Sequence, residues 1–347
     1  IGDWGYQGKT DNNTFYGEDQ LKVARNLEKY ANLHDTKFII NVGGVESVED
    51  EKWNTTWLNI YKDKLSKIPW YSVAGNHDCL TKNSRFFLPS LFYARLTTFG
   101  QKKTEIAWIH IDTNLFFYKY KNINENVQFA KNFQYFGWDV NEENKIEEKL
   151  RWIEEKLIEF QDVKWIFVAG HHPLIGDCSE TYYMPELLSL LQKYRVIAYL
   201  SGHAHVLELK LPDSNSSNKL ARFISGAASR TSSGSSRTSS GCPGEKDWGM
   251  PEGTFGFLHF TIKDDDDYLK FQFVDSTTVN DKINGYPSTL MIPIGKTAKY
   301  PDIESALMMW FNKALSDKRI ITSDIILVKG FLVMQDQQSE DKSLTIS

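Results

Sequence analysis

Four short stretches of this 347-residue chain end an apolar run on a glycine followed by residues that bind metals or phosphate. They are Gly2-Asp3-Trp4, Gly75-Asn76-His77-Asp78, Gly170-His171-His172 and Gly202-His203-Ala204-His205. A lone histidine at a strand end is ordinarily just a hydrogen-bonding residue. Together, however, Asp3, Asn76, His171, His203 and His205 offer a carboxylate, an amide oxygen and three imidazoles, a donor set that suits a borderline or hard cation. A fifth stretch, Phe38-Ile39-Ile40-Asn41-Val42-Gly43-Gly44, has the same form, but Gly44 stands where a carboxylate belongs. His110, inside Trp108-Ile109-His110-Ile111-Asp112, reads as a core histidine.

Such groups converge only if the chain brings strand ends together. Apolar runs with β character cover 38–42, 70–74, 106–112, 165–169, 196–201, 222–225, 255–262 and 269–274. Between them, 17–32, 53–65, 142–160 and 184–194 read as amphipathic helices; Ile146, Leu150, Ile153 and Leu157 share one helical face. Alternating strands and helices predict an α/β fold, in which ligands gather at the carboxyl ends of strands. The late strand pair is expected to be an antiparallel hairpin whose turn, 264–267, is a solvated acidic turn rather than a calcium loop. Residues 229–246, where Ser-Arg-Thr-Ser-Ser-Gly occurs twice, read as a mobile Ser-rich loop.

Composition bounds the remaining choices. At 41% hydrophobic and 24% charged, the chain has the make-up of a folded globular protein. A net charge of −5 without a basic stripe argues against nucleic acid as a partner. Cys79, Cys178 and Cys242 are compatible with one disulfide and a free thiol or with three thiols. Sequons at Asn12, Asn54 and Asn215 suit a secreted or lumenal/vacuolar glycoprotein. The Gly2-Asp3 turn follows Ile1 at once, so the first strand is expected to be cut short. No stretch has the roughly 18 apolar residues of a membrane span; 320–334 is interrupted by Asp324 and Lys329.

The four motifs, in this order, resemble those of the calcineurin-like metallophosphoesterases. Gly2-Asp3-Trp4-Gly5 and Pro69-Trp70-Tyr71-Ser72-Val73-Ala74-Gly75-Asn76-His77-Asp78 are especially similar to the small, tartrate-resistant type of purple acid phosphatase. The resemblance covers residues 2–275. It implies a four-layer sandwich, two mixed β-sheets flanked by α-helices, over 1–277, with 278–347 as a C-terminal extension. It also implies phosphate-ester hydrolysis at two adjacent metals, with metal-activated water attacking phosphorus in line. By motif, Asp3 and His205 match ligands of the first, ferric metal, and Asn76, His171 and His203 match ligands of the second, divalent one. Asn76 and His77 match phosphate contacts, His77 also as the group that helps protonate the leaving group. His172 has no matching role.

The fifth stretch departs from the family. Relatives carry a bridging aspartate and an iron-binding tyrosine there; in register these positions are Gly44 and Ser47. The first site keeps two of four ligands and the second three of four, unless Glu46 or Glu49 swings in as a bridge. Two readings stand open, beside a third, a phosphodiesterase or nucleotidase with the same fold that differs mainly in its substrate pocket. One is an acid phosphatase-like hydrolase, weakened or working with one metal (zinc, manganese or iron at Asn76/His171/His203, the second iron lacking a full ligand set), acting on a phosphorylated small molecule or phosphoprotein. The other is an inactive pseudo-phosphatase that binds a protein partner as a scaffold or membrane-complex anchor, like the glideosome-associated phosphatase-like proteins of apicomplexan parasites.

Overall fold

Helix α1 (Gly17–Leu33) buries Val23, Ala24, Leu27, Tyr30 and Ala31, the i, i+3, i+4 stripe of an amphipathic helix. The short parallel strands β1 (Ile39–Asn41) and β2 (Trp70–Ser72) follow. A computed structural model describes residues 1–5, 17–44, 53–78, 89–119, 144–174, 184–212, 220–231, 248–264, 268–277 and 290–293. Strands β3 (Tyr93–Phe99) and β4 (Thr104–His110) form an antiparallel pair, then come α2 (Asn114–Lys119), α3 (Asn144–Glu159) and β5 (Trp165–Ala169). Next are α4 (Pro185–Lys193), β6 (Ala198–Ser201), β7 (Leu207–Lys210), β8 (Ala221–Ser225) and β9 (Trp248–Gly249). The antiparallel β10 (Gly256–Thr261), β11 (Tyr268–Asp275) and β12 (Leu290–Pro293) close the described chain.

A seven-stranded mixed sheet in the order β3-β4-β5-β6-β8-β7-β9 forms the centre. Its inner strands β4, β5, β6 and β8 are parallel, and β5 and β6 are buried at every position. That is why they read as unbroken apolar runs. One face packs on α2, α3 and α4 through Ile109, Ile153, Leu157, Val168 and Leu187. The other face meets the β1–β2 and β10–β12 strands through Trp108, Phe167, Phe223, Val42, Val73 and Phe271. A third core, with Trp4, Leu27, Ile39, Tyr61 and Phe257, joins those strands to α1. Helices, sheet, sheet strands and helix thus give the four layers expected from the sequence.

The helix expected over 53–65 is a correction. The chain there forms a π-helical turn, Asn54–Leu58, with an Asn59 N–H to Asn54 carbonyl bond, and a tight turn at Leu65–Lys67. Its aromatic rings decide the geometry: Trp53, Trp57 and Tyr61 pack on Trp4 with centroids 4.5–6.5 Å apart, and Asp63 has a left-handed backbone (φ 54°) that stops a helix. Trp4 is therefore a core residue. Asp264 belongs to no loose turn: it accepts hydrogen bonds from Gln101 N (2.7 Å) and Thr104 Oγ1 (2.9 Å), tying the hairpin to the β3–β4 turn. Asp265 to Asp267 lie outside the described residues, as do all three cysteines, Asn12 and Asn215. Of the Ser-rich loop only 229–231 are described, and Ser229 is buried with its Oγ donating to the Asp3 carbonyl (2.7 Å). Strand β12 lies beyond residue 277 yet pairs with β11.

Candidate metal centre

The carboxyl ends of β1, β2, β5 and β6 open toward one place, and the residues after them turn on glycine. Ile1 continues the β1 side: its N-terminus donates to Ile40 O (3.1 Å), and Val42 N donates to Ile1 O (2.9 Å), which delivers Gly2-Asp3 beside Gly43-Gly44. Asp3 N then donates to Gly43 O (2.9 Å). Asn41 ties the two loops, accepting from Trp4 Nε1 and Gly43 N (both 3.2 Å) and donating to Ser72 Oγ (3.1 Å). Asp78 binds the next pair: its Oδ2 accepts Gly44 N at 3.0 Å and Gly75 N at 2.6 Å. Buried carboxylates are tolerated when hydrogen-bonded in this way.

On this frame three of the expected residues meet. His171 Nε2 lies 2.9 Å from Asn76 Oδ1 and 3.2 Å from His203 Nδ1, and His203 Nδ1 lies 3.3 Å from Asn76 Oδ1. Val42 O is 2.8 Å from His171 Nδ1 and accepts its N–H, which leaves Nε2 as a lone pair facing the Asn76 oxygen. Two acceptors at that separation, with at most one proton from His203 between them, are stabilised by a cation. The spacing fits as well, since donors about 2.1 Å from one ion lie roughly 3.0–3.4 Å apart. Burial, with help from neighbouring histidines, lowers the pKa of His203 to about 3; burial also lowers that of His171, against the pull of Asp3. Both imidazoles are therefore neutral and able to donate lone pairs at ordinary pH.

Among the described residues, Asp3 and His205 do not complete a second set of this kind. Burial would raise the Asp3 pKa, but His205, His171 and His203 outweigh it and hold the carboxyl below its usual range. Oδ2 accepts the His203 backbone N–H (2.7 Å), and Oδ1 is 3.6 Å from His205 Nε2. A Cβ built on Gly44 would collide with Asp3 Oδ1 and stand 2.7 Å from His171 Cε1, and Gly44 has a positive φ of 84°. Asp3, His203 and His205 are themselves non-glycine residues with left-handed backbones (φ 56°, 65° and 48°). Strain of this kind clusters at functional sites. Ser47, Glu46 and Glu49 lie outside the described residues.

His77 is partly exposed and close enough for its charge to weigh on His171 and His203. His172, given no role from the sequence, is wholly buried; its ring is 4.6 Å from that of His203 and stacks on Phe117 at 4.0 Å. His171, His172 and His203 place ring nitrogens within 4.8 Å of one another. Asn41 and Thr113 were silent in the sequence; Asp78, inside Gly75-Asn76-His77-Asp78, carried a signal. His110 is core as expected, stacked on Tyr93 at 4.3 Å.

Comparison with known proteins agrees with this geometry. Residues 1–207 match the calcineurin-like phosphoesterase family. The tartrate-resistant acid phosphatase type 5 of Oryctolagus cuniculus is 27% identical over 242 residues, covering 62% of this chain and 68% of that protein. Among solved structures, GAP50, described as the anchor in the inner membrane complex of Plasmodium, shares the fold with a TM-score of 0.60 at 20% identity, over 90% of this chain and 92% of its own. Purple acid phosphatase PPD1 of yellow lupin (Lupinus luteus) does so with a TM-score of 0.53 at 16% identity, over 82% of this chain and 52% of its own. With the family match spanning more than half its length and the glycine-turned strand ends converging, this chain belongs to the calcineurin-like phosphoesterase family.

Proposed function

We propose that Asn76, His171 and His203 hold one divalent metal ion and that this centre hydrolyses phosphate esters of a small molecule or a phosphoprotein. The observation that carries the reading is the triangle of donor atoms with sides of 2.9, 3.2 and 3.3 Å. The ion would supply Lewis-acid polarisation of the phosphoryl group and a lowered pKa for water. The chain supplies the rest. Asp3 fixes His203 through its backbone N–H, Val42 fixes the tautomer of His171, and His77, by its motif, contacts the phosphate and passes a proton to the leaving group. With Gly44 in place of a bridging carboxylate, the Asp3/His205 side is a weak second site, so the rate falls below that of a two-metal centre. The exposed sequon residue Asn54 supports a secretory route.

A second reading, a protein anchor without catalysis, is supported by the way Asp3 fills the space beside Gly44 and by the fold shared with GAP50 over nearly the whole of both chains. Calorimetric titration with zinc or manganese tests the metal directly. One ion per chain, with binding abolished in His203→Ala, is the expected result; no binding, or binding untouched by the substitution, would leave the anchor.

A further inference from the structure

We infer that Asn54 carries an asparagine-linked glycan attached before the turn around it closes, and that the folded chain no longer accepts one. The inference rests on the secretory route read from the same residue. It is carried by a split within one sequon, Asn54-Thr55-Thr56. Asn54 and Thr55 are exposed, whereas Thr56 is 0% exposed. Glycan transfer needs both ends of the triplet, the amide of the asparagine and the hydroxyl of the residue two places on. In the folded protein only the first end faces solvent.

The packing holds the second end in. The backbone is wound into the π-helical turn Asn54–Leu58, closed by the Asn59 N–H on the Asn54 carbonyl (2.9 Å), and the Thr56 carbonyl accepts from Gln20 Nε2 of α1 (2.9 Å). Trp57 follows directly, its ring 4.5 Å from that of Trp4 and 4.6 Å from that of Trp70. Presenting the triplet to a transferase therefore requires this packing to open. During synthesis the packing is not yet complete. The core that the turn joins includes Phe257 and Val274. The roughly 200 residues between the sequon and Phe257 take on the order of 10–40 s to synthesise. In that interval Asn54 Nδ2 attacks the anomeric carbon of a lipid-pyrophosphate-linked oligosaccharide. The new N–C bond replaces the bond from that carbon to the pyrophosphate oxygen, Nδ2 gives up one proton, and the lipid pyrophosphate leaves. When the turn closes, Thr56 goes inside and the sugar stays on the exposed side.

The test uses the full chain behind an added cleavable leader, translated in the presence of endoplasmic-reticulum microsomes and read by glycopeptide mass spectrometry. Chains whose leader has been removed should carry sugar on Asn54. Thr56→Val, which keeps Asn54 and fills the buried position, should lose the sugar, and Thr56→Ser should keep it. In a second arm the unmodified full chain is folded first and then offered solubilised transferase and the lipid-linked donor. It should be modified at least about tenfold more slowly than Trp57→Ala, whose turn has lost its packing on Trp4 and Trp70. A bare Asn54 in leader-cleaved wild type, sugar persisting in Thr56→Val, or folded wild type modified as fast as Trp57→Ala overturns the inference. The added leader delivers the chain whatever its natural route, so these results leave the secretory reading untouched. Sugar on the leader-driven chain but none on the protein from its natural source would instead end the secretory reading, and the glycan with it.

Discussion

The Asp3 carboxylate occupies the space that a side chain at position 44 would need. Its Oδ1 would stand 2.2 Å from a Cβ on Gly44, while its Oδ2 accepts the His203 N–H at 2.7 Å. One residue thus fills the space beside Gly44 and at the same time braces His203, one corner of the donor triangle. Restoring a carboxylate at position 44 therefore does not simply restore a missing part.

Gly44→Asp should destabilise the metal-free protein by about 2–4 kcal/mol, from the positive φ and the crowding of Asp3. The new charge would also face Asp3 directly. Added zinc or manganese should recover part of the loss, because a cation offsets two neighbouring carboxylates. Urea unfolding with and without metal reads both effects; a variant as stable as the wild type without metal would show that Asp3 moves aside freely.

Asp78→Ala should cost about 2–4 kcal/mol, since one buried carboxylate satisfies the N–H groups of Gly44 and Gly75 at 3.0 and 2.6 Å. Asn76 follows Gly75 directly, so metal affinity should fall with stability. Unfolding curves and a zinc titration on the same preparation would check the pairing of the two losses. A variant that loses stability but keeps its zinc affinity would separate the loop from the ligand triangle.

Stability of the metal-free protein should fall on acidification from about pH 6.5 to pH 4. Burial depresses the pKa values of His110 and His203 to about 3 and of His259 to about 4. In that window the unfolded chain binds more protons than the folded one, so acid favours unfolding. The urea midpoint measured against pH should trace this decline, and His110→Phe should flatten it. His110 is the cleanest probe because both ring nitrogens lack hydrogen-bond partners among the described residues. A midpoint independent of pH over this range would contradict the burial of these rings as neutral groups.

The parts of this architecture that were legible in the sequence are those with one dominant physical cause. Strand β5 was placed to the residue because a strand buried on both faces must be apolar throughout, and α3 because Ile146, Leu150, Ile153 and Leu157 recur at helical spacing. Strand β3 was missed: Tyr93–Phe99 lies at the sheet edge, half-exposed, with Arg95 stacked 3.5 Å from the Tyr71 ring, so neither a continuous nor an alternating apolar pattern marks it. At the site, glycine followed by ligand residues identified Asn76, His171 and His203, which do converge. The hydroxyl of Thr113 and the amide of Asn41 act on groups distant in sequence, through contacts that no local spacing encodes.

The Asn76/His171/His203 triangle is expected to support hydrolysis with one metal. Phosphate release from an aryl phosphate, by protein loaded with one equivalent of zinc or manganese and beside a His203→Ala control, tests it most directly. Slow release that disappears in the control is the expected result. No release from metal-loaded protein, or release unchanged by the substitution, would contradict it.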